Sequence, residues 1–251
     1  MPNSVERFSN RVENYIKYRP TYPKEMLDLF RDEMNLQTSS IIADIGSGTG
    51  ISAKFFLENG NPVFGVEPNA AMRAGAEKFL KDFPNFKSVD GTSDNTGLTD
   101  KSLDFIIAAQ AFHWFDKAKT RIEFKRILRE NGWMALIWNE RQLDSNDFLR
   151  EYERFLLKFG TDYAQVRHEN ISNDILESFF QNKFQKAVFQ NSQTLDFEGL
   201  KGRMLSASYM PSEKNPLLEE MMTNLKNIFT KYERNDKIEI IYDTNIYYGH
   251  F

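Results

Sequence analysis

The stretch Asp44-Ile45-Gly46-Ser47-Gly48-Thr49-Gly50 decides the reading of this 251-residue chain. It follows Ile41-Ile42-Ala43-Asp44-Ile45, a short apolar run that predicts a buried strand. It precedes residues 51–59, whose pattern is helical and which Gly60 terminates. Glycines between a strand and a helix let the chain turn tightly and let a ligand approach backbone with no Cβ in the way. Outward from there the alternation continues. Residues 63–67 form a second predicted strand, ending in Glu67, and Asn69 can cap a helix over 70–83, before Pro84. Strands follow over 86–90, 103–109 and 133–138, with a polar loop over 91–101 and a helix over 118–128. Strands apolar on both faces with helices between them imply an α/β, doubly wound and mostly parallel sheet with right-handed crossovers.

The flanks differ from this core. Residues 1–35 predict a helical lid, broken at Pro20 and resumed at Pro23 with Met26, Leu27, Leu29, Phe30 and Met34 as its apolar set. The sheet core spans 36–140. Residues 141–183 are helical, polar and rich in clustered aromatics, which predicts a cap inserted between sheet elements. Residues 184–251 return to the sheet: a strand over 184–189, helices over 197–209 and 217–232, and a late antiparallel strand over 238–248.

Composition bounds the function. Apolar residues make up 41% and charged residues 27%, enough for a sizeable core. A net charge of −4 makes a dominant nucleic-acid face unlikely on simple electrostatics. There is no cysteine, so disulfides, thiolate nucleophiles and cysteine-based metal sites are excluded. His113, His168 and His250 show no metal-ligand spacing, and no metal is expected. The polar start of the chain is not a secretory signal, and the longest apolar runs are too short to span a bilayer. A cytoplasmic protein without a membrane partner is the expectation; the sequence does not set the oligomeric state.

Glu67 ends the strand next to the glycine turn, where a carboxylate can accept hydrogen bonds from both ribose hydroxyls. The ligand is therefore expected to contain adenosine. A dinucleotide fingerprint needs G-x-G-x-x-G, but Gly50 comes one position early. Asp44 adds negative charge that suits a sulfonium or ammonium better than a pyrophosphate. Together these favour S-adenosylmethionine (SAM) over NAD.

Residues 40–140 resemble a class I SAM-dependent methyltransferase of the type 11 group. Asp44 to Gly50 matches that group's first motif, Val66-Glu67-Pro68 its second-strand acid, and Val89-Asp90-Gly91-Thr92-Ser93-Asp94 the loop bordering adenine. Ala109-Gln110-Ala111-Phe112-His113-Trp114-Phe115-Asp116, and Tyr15 to Pro23, are similar to a trans-aconitate methyltransferase-like subset. The resemblance implies a seven-stranded Rossmann-like sheet with its last strand antiparallel. It implies that Gly46 and Gly48 run under the methionine part of SAM, with Ser47 between them also at the cofactor, that Glu67 holds the ribose, and that S-adenosylhomocysteine is the product. Thr92-Ser93 departs from the usual pattern, leaving Asp90, Ser93 and Asp94 as alternatives at the adenine.

Methyl transfer is an in-line displacement, helped by alignment in a dry site; a base is needed only if the acceptor must lose a proton. Gln110, ending the fourth strand, can face cofactor or acceptor. His113 is the one acid/base candidate near neutrality, with packing in an aromatic turn as its alternative. Trp114 can wall the site or belong to the core. Tyr15, Tyr18, Arg19 and Tyr22 form a second group, in which Arg19 can pair a carboxylate of SAM or of the acceptor. Trp138, Asn139 and Arg141 follow the fifth strand at the ligand edge, where Arg141 can select an anion. The leading expectation is a methyltransferase acting on a small carboxylate or hydroxyl compound. Its rivals are a methyltransferase of RNA or protein, and a SAM-binding protein of this fold without catalysis.

Overall fold

The computed structural model describes residues 9, 11–163, 172–211 and 215–250. The first part of the predicted lid and the 164–171 part of the predicted cap lie outside them. The elements are α1 (Val12–Tyr18), α2 (Glu25–Asp32), β1 (Ile42–Ile45), α3 (Ile51–Glu58), β2 (Val63–Val66), α4 (Ala70–Phe79), β3 (Phe86–Val89) and β4 (Leu103–Ala109). After a 3-10 turn, Phe112–Trp114, come α5 (Lys117–Ile127), β5 (Leu128–Arg141), α6 (Asp147–Phe159), α7 (Asn173–Phe180), β6 (Phe184–Leu195), α8 (Phe197–Leu205), α9 (Leu218–Tyr232) and β7 (Ile238–Gly249).

The seven strands lie in the order β3-β2-β1-β4-β5-β7-β6. β1 to β5 are mutually parallel, and β7 is antiparallel to both β5 and β6. This is the doubly wound, Rossmann-like methyltransferase sheet. Alternate residues of each central strand feed two separate cores, as a period of two demands. Ile42, Phe105, Ile107 and Ile137 pack with Met26 and Phe30 of α2 and Phe56 of α3. Ala43, Ile45, Ile106 and Leu136 pack with Phe124 and Ile127 of α5 and Phe179 of α7. Each such fully buried Phe, Ile or Leu contributes roughly 1.5–3 kcal/mol. Chain order reverses between β1 and β4, which opens a crevice at their carboxyl ends.

Several element boundaries differ from expectation. β5 runs past Trp138 to Arg141 because β7 keeps pairing with it, as in Trp138 with Asn245 and Arg141 with Tyr242. β6 runs to Leu195, not 189. It is an edge strand whose outer face is polar, so the Gln-Asn-Ser-Gln-Thr run carries no apolar signal. The helix expected over 197–209 closes at Leu205.

The segment 141–183 is not one cap. α6 joins α8, α9 and the far ends of β6 and β7 in a third core, including Phe148, Tyr152, Met204, Leu225 and Tyr242. α7 instead returns to the sheet, covering the α5 face through Leu176 and Phe179. The apolar spacing of each helix decides its partner. The cap is thus built from α6, α8 and α9, with the two longest strands of the antiparallel edge rising into it.

α1 spans cap and core. Arg11 donates to Leu205 O and Met210 O, both at 2.6 Å, at the end of α8. A Cβ on Gly75 of α4 would lie 2.5 Å from Val12, so this glycine lets α1 close on the core. β6 fixes the chain after α1, with Gln193 donating to Tyr18 O and Asn191 to Thr21 O, both at 2.9 Å. Among the described residues no helix is long and apolar enough to cross a membrane.

Candidate active site

A cavity of about 350 Å³ lies in the crevice, with the sheet's carboxyl edge as its floor and α1, α8 and the residues flanking α6 (Leu143, Tyr163) around its upper part. Its floor begins with the glycine turn. Gly46 and Gly48 have φ of +71° and +54°, a conformation that costs an L side chain energy. Gly46 and Ser47 donate to Val66 O at 2.8 and 3.2 Å, tying the turn to β2. The Phe115 ring closes over Gly46, with its Cζ 3.3 Å from where a Cβ would stand.

Glu67 stands against this turn at the cavity wall. Its carboxylate accepts from Gly48 N at 3.0 Å and from Asn69 N at 2.8 Å, so both oxygens are held from opposite sides. Burial raises its pKa, and the two backbone donors and Arg73 offset part of that rise. Pro68 lines the cavity beside it.

Asp44 stands behind the turn, fully buried. It accepts from Ser52 Oγ at 2.6 Å, and Ser52 is the residue that reaches the cavity. Its Oδ1 has no hydrogen-bond partner among the described residues. Burial pushes its pKa up to about 7, against the lowering pull of Ser52 and the Ala53 amide, with Glu67 adding to the rise. Gly50 is also behind the wall: a Cβ there would meet Leu80 at 2.6 Å, so it packs α3 against the end of α4.

The loop after β3 forms the next wall. Thr92, Ser93 and Asp94 line the cavity, and Ser93 Oγ hydrogen-bonds Thr120 Oγ1 at 2.8 Å. Glu123 of α5 pins this loop by accepting from Thr96 N at 2.9 Å and Thr96 Oγ1 at 2.5 Å. Arg126 beside it, with Thr96, holds the Glu123 carboxyl down at about 2. Asp90 turns outward to Arg73 at 2.9 Å and is mostly exposed. Of the three adenine alternatives, only Ser93 and Asp94 face the cavity.

β4 delivers Gln110 to the centre with φ +58°, a left-handed conformation uncommon outside glycine. Its amide donates to Ile137 O at 2.8 Å and its side chain to Asn139 O at 3.4 Å. Trp114 reaches the cavity from the 3-10 turn, but His113 does not. The turn sends the His113 ring elsewhere, tilted against Trp114 at 4.8 Å. Trp138 is likewise turned away, 2% exposed, into the core with Phe112 and Tyr247. The next residue, Asn139, does line the cavity; it accepts from Thr244 at 2.6 Å and donates to Thr21 O at 3.2 Å.

The upper wall carries three arginines. Arg19 donates to Ser206 O at 3.0 Å and lies over the Tyr15 ring at 4.7 Å. Tyr15 and Tyr22 line the cavity with it, whereas Tyr18 packs against the Gly202 backbone of α8. Arg141 is paired with Glu153 of α6, hydrogen-bonds Tyr163 Oη at 3.0 Å, and lies over Tyr152 at 5.3 Å. The third, Arg203 of α8, was not anticipated from the sequence, nor were Tyr209 and Tyr163. A signal for Arg203 existed: it shares a helix face with Leu200 and Met204, where an arginine must be buried.

The residues present fit a SAM molecule. The glycine backbone leaves the floor open, and a fixed carboxylate stands one strand over, within the same cavity. Sheet order, crevice and carboxylate together define a class I methyltransferase architecture.

The comparisons agree. A family model described as a methyltransferase domain matches residues 43–136. An uncharacterized methyltransferase-like protein of Schizosaccharomyces pombe is 26% identical over 247 residues, covering 96% of this chain and 93% of that one. A Dictyostelium discoideum protein described as a methyltransferase is 30% identical over 189 residues, covering 73% of this chain and 70% of its own. Two solved structures share the fold. One, from Anaeromyxobacter dehalogenans and described as a type II methyltransferase, has a TM-score of 0.64 at 18% identity, covering 93% and 98% of the two chains. The other is a SAM-dependent methyltransferase from Geobacter sulfurreducens in complex with S-adenosylhomocysteine, with a TM-score of 0.54 at 14% identity, covering 99% and 98%. The chain belongs to the type 11 group of class I SAM-dependent methyltransferases.

Proposed function

We propose that this protein transfers a methyl group from SAM to a small-molecule acceptor bearing a carboxylate or hydroxyl. The observation that carries this reading is that one cavity is walled both by the glycine turn with Glu67 and by the arginines and tyrosines of lid and cap. When bound, SAM supplies an electrophilic methyl group on a cationic sulfur.

The chain's own residues hold and align the reactants. Glu67 is set to accept from the ribose, the backbone of Gly46 to Gly48 to lie under the amino-acid part, and Ser93 and Asp94 to border the adenine. Gln110, Trp114 and Phe115 surround the middle of the cavity and exclude water, which favours a displacement in which charge is lost. A carboxylate acceptor arrives ionised and needs no base. For a hydroxyl acceptor the described lining offers no histidine; its acids are Glu67, Asp94 and Asp116.

The test is calorimetric titration with SAM and with S-adenosylhomocysteine, followed by incubation of labelled SAM with a metabolite extract. Saturable binding and label in a small molecule are expected. No heat and no rise in melting temperature would refute the reading, because a ligand bound to the folded state alone must stabilise it.

A further inference from the structure

Arg203 is nine-tenths buried on the inner face of α8, yet it has no ion-pair partner among the described residues. Its Nε donates to Tyr242 Oη at 3.3 Å, and the groups acting on its charge are the hydroxyls of Tyr242, Tyr209 and Tyr152. A phenol hydroxyl solvates the guanidinium without supplying a counter-charge. Arg19, partly buried beside it, likewise lacks an acid among the described residues. Burial first and the Arg203 charge second lower its pKa, its Nε is buried with no partner, and neither arginine has an ion-pair partner among the described residues. Ser206 links the two, taking Arg19 on its carbonyl and donating its hydroxyl to Arg203 O at 2.6 Å. Arg141, the third arginine of this wall, is already matched by Glu153.

Two neighbouring cations, one buried and one partly buried, without an anion among the described residues are costly for a folded protein. A stable chain keeps such a pair where a ligand completes it. SAM carries one carboxylate, which can match only one of the two, while its sulfonium and ammonium add positive charge. We infer that Arg203 forms an oxyanion subsite for the acceptor, holding an acidic group that is not the one methylated. An oxygen held by a guanidinium loses nucleophilicity, so the group on Arg203 is a handle and a second group receives the methyl. The electron pair of that second group forms the new bond to carbon, and the pair of the broken carbon–sulfur bond remains on sulfur. Carboxylate, sulfate and phosphate share the chemistry the subsite requires. The inference rests on the proposed function for the identity of the cofactor, and on the arginine geometry for the subsite itself.

The full chain, with and without saturating S-adenosylhomocysteine, is titrated with succinate and with sulfate at constant ionic strength, using succinamide as the neutral control. Succinate or sulfate is expected to bind and raise the melting temperature, and succinamide is not. Arg203→Gln is expected to weaken the anion roughly 10- to 100-fold while the S-adenosylhomocysteine response persists, and Arg203→Lys to keep part of the affinity. Equal anion binding by wild type and Arg203→Gln would overturn the subsite, as would no anion binding by wild type. Failure of S-adenosylhomocysteine to stabilise the wild type would instead remove the cofactor reading, with the anion arm still deciding on Arg203. Should Arg203→Gln not fold, Arg203→Lys and the product decide. The labelled product must stay bound to an anion exchanger at pH 8, and label in the neutral fraction contradicts the handle.

Discussion

Gly46 and Ala111 meet so closely that a Cβ on Gly46 would stand 2.6 Å from the Ala111 Cβ. This is where the turn after β1 touches the turn after β4, and it sets the width of the crevice. Gly46→Ala meets two obstacles, the neighbouring methyl and a φ of +71°. It is expected to cost about 1–3 kcal/mol in denaturant unfolding and to weaken S-adenosylhomocysteine binding. Adding Ala111→Gly should restore the part due to the clash and leave the part due to φ. A double-mutant cycle with no coupling would show that the contact is not felt.

Glu67 is predicted to control cofactor affinity. Glu67→Ala removes the acceptor for Gly48 N and Asn69 N along with that offered to the ribose. A loss of roughly 10- to 100-fold in S-adenosylhomocysteine affinity is expected by calorimetry, with Glu67→Gln in between. Because burial raises the Glu67 pKa, affinity should also begin to fall at a higher pH than an ordinary glutamate would set as the solution is acidified.

Asp44 makes an unusual contribution to pH dependence. Its folded pKa of about 7 lies above the unfolded value of about 3.9, so the folded state binds the extra proton between these limits. Stability from this residue is complete below pH ~4 and declines as pH rises to ~7, by at most ~1.4 kcal/mol per unit. Asp44→Asn should remove that decline. Urea midpoints of both proteins from pH 4.5 to 8 check it; parallel curves would mean that Asp44 does not titrate in this window.

Glu123 behaves in the opposite sense. Arg126 and Thr96 hold its carboxyl at about 2, so its contribution is present above the unfolded value of about 4.3 and is lost as pH falls toward 2. Glu123→Gln should lower stability at pH 7, and the difference from wild type should shrink on acidification. The same variant loosens the 92–96 loop, so amide exchange there should rise in thermal melts matched for stability.

The parallel half of this fold was legible because β1 and β4 carry apolar residues on both faces, and Gly46, Gly48 and Glu67 have few other reasons to occur in that order. β6 was legible only to Phe189, since residues 190–194 are polar on a strand with one face in water. The upper wall depended on backbone direction. α1 ends at Tyr18 and the chain continues extended at Arg19, so Tyr15 faces the cavity while Tyr18 packs on Gly202. The 3-10 turn separates Trp114 from His113 in the same way. Arg203 was overlooked because an arginine on an apolar helix face looks, in one dimension, like a surface residue with apolar neighbours.

The placement of β7 between β5 and β6 governs how the chain acquires its shape. During synthesis the ribosome releases β6 well before β7, and until residues 238–249 emerge β6 has no sheet partner and the flank of β5 stays open. Tyr242, which supports Arg203, arrives with that same strand. In a chain emerging from its N-terminus the nucleoside half can assemble before β7 is available, and the upper half of the cavity closes only when β7 enters between β5 and β6.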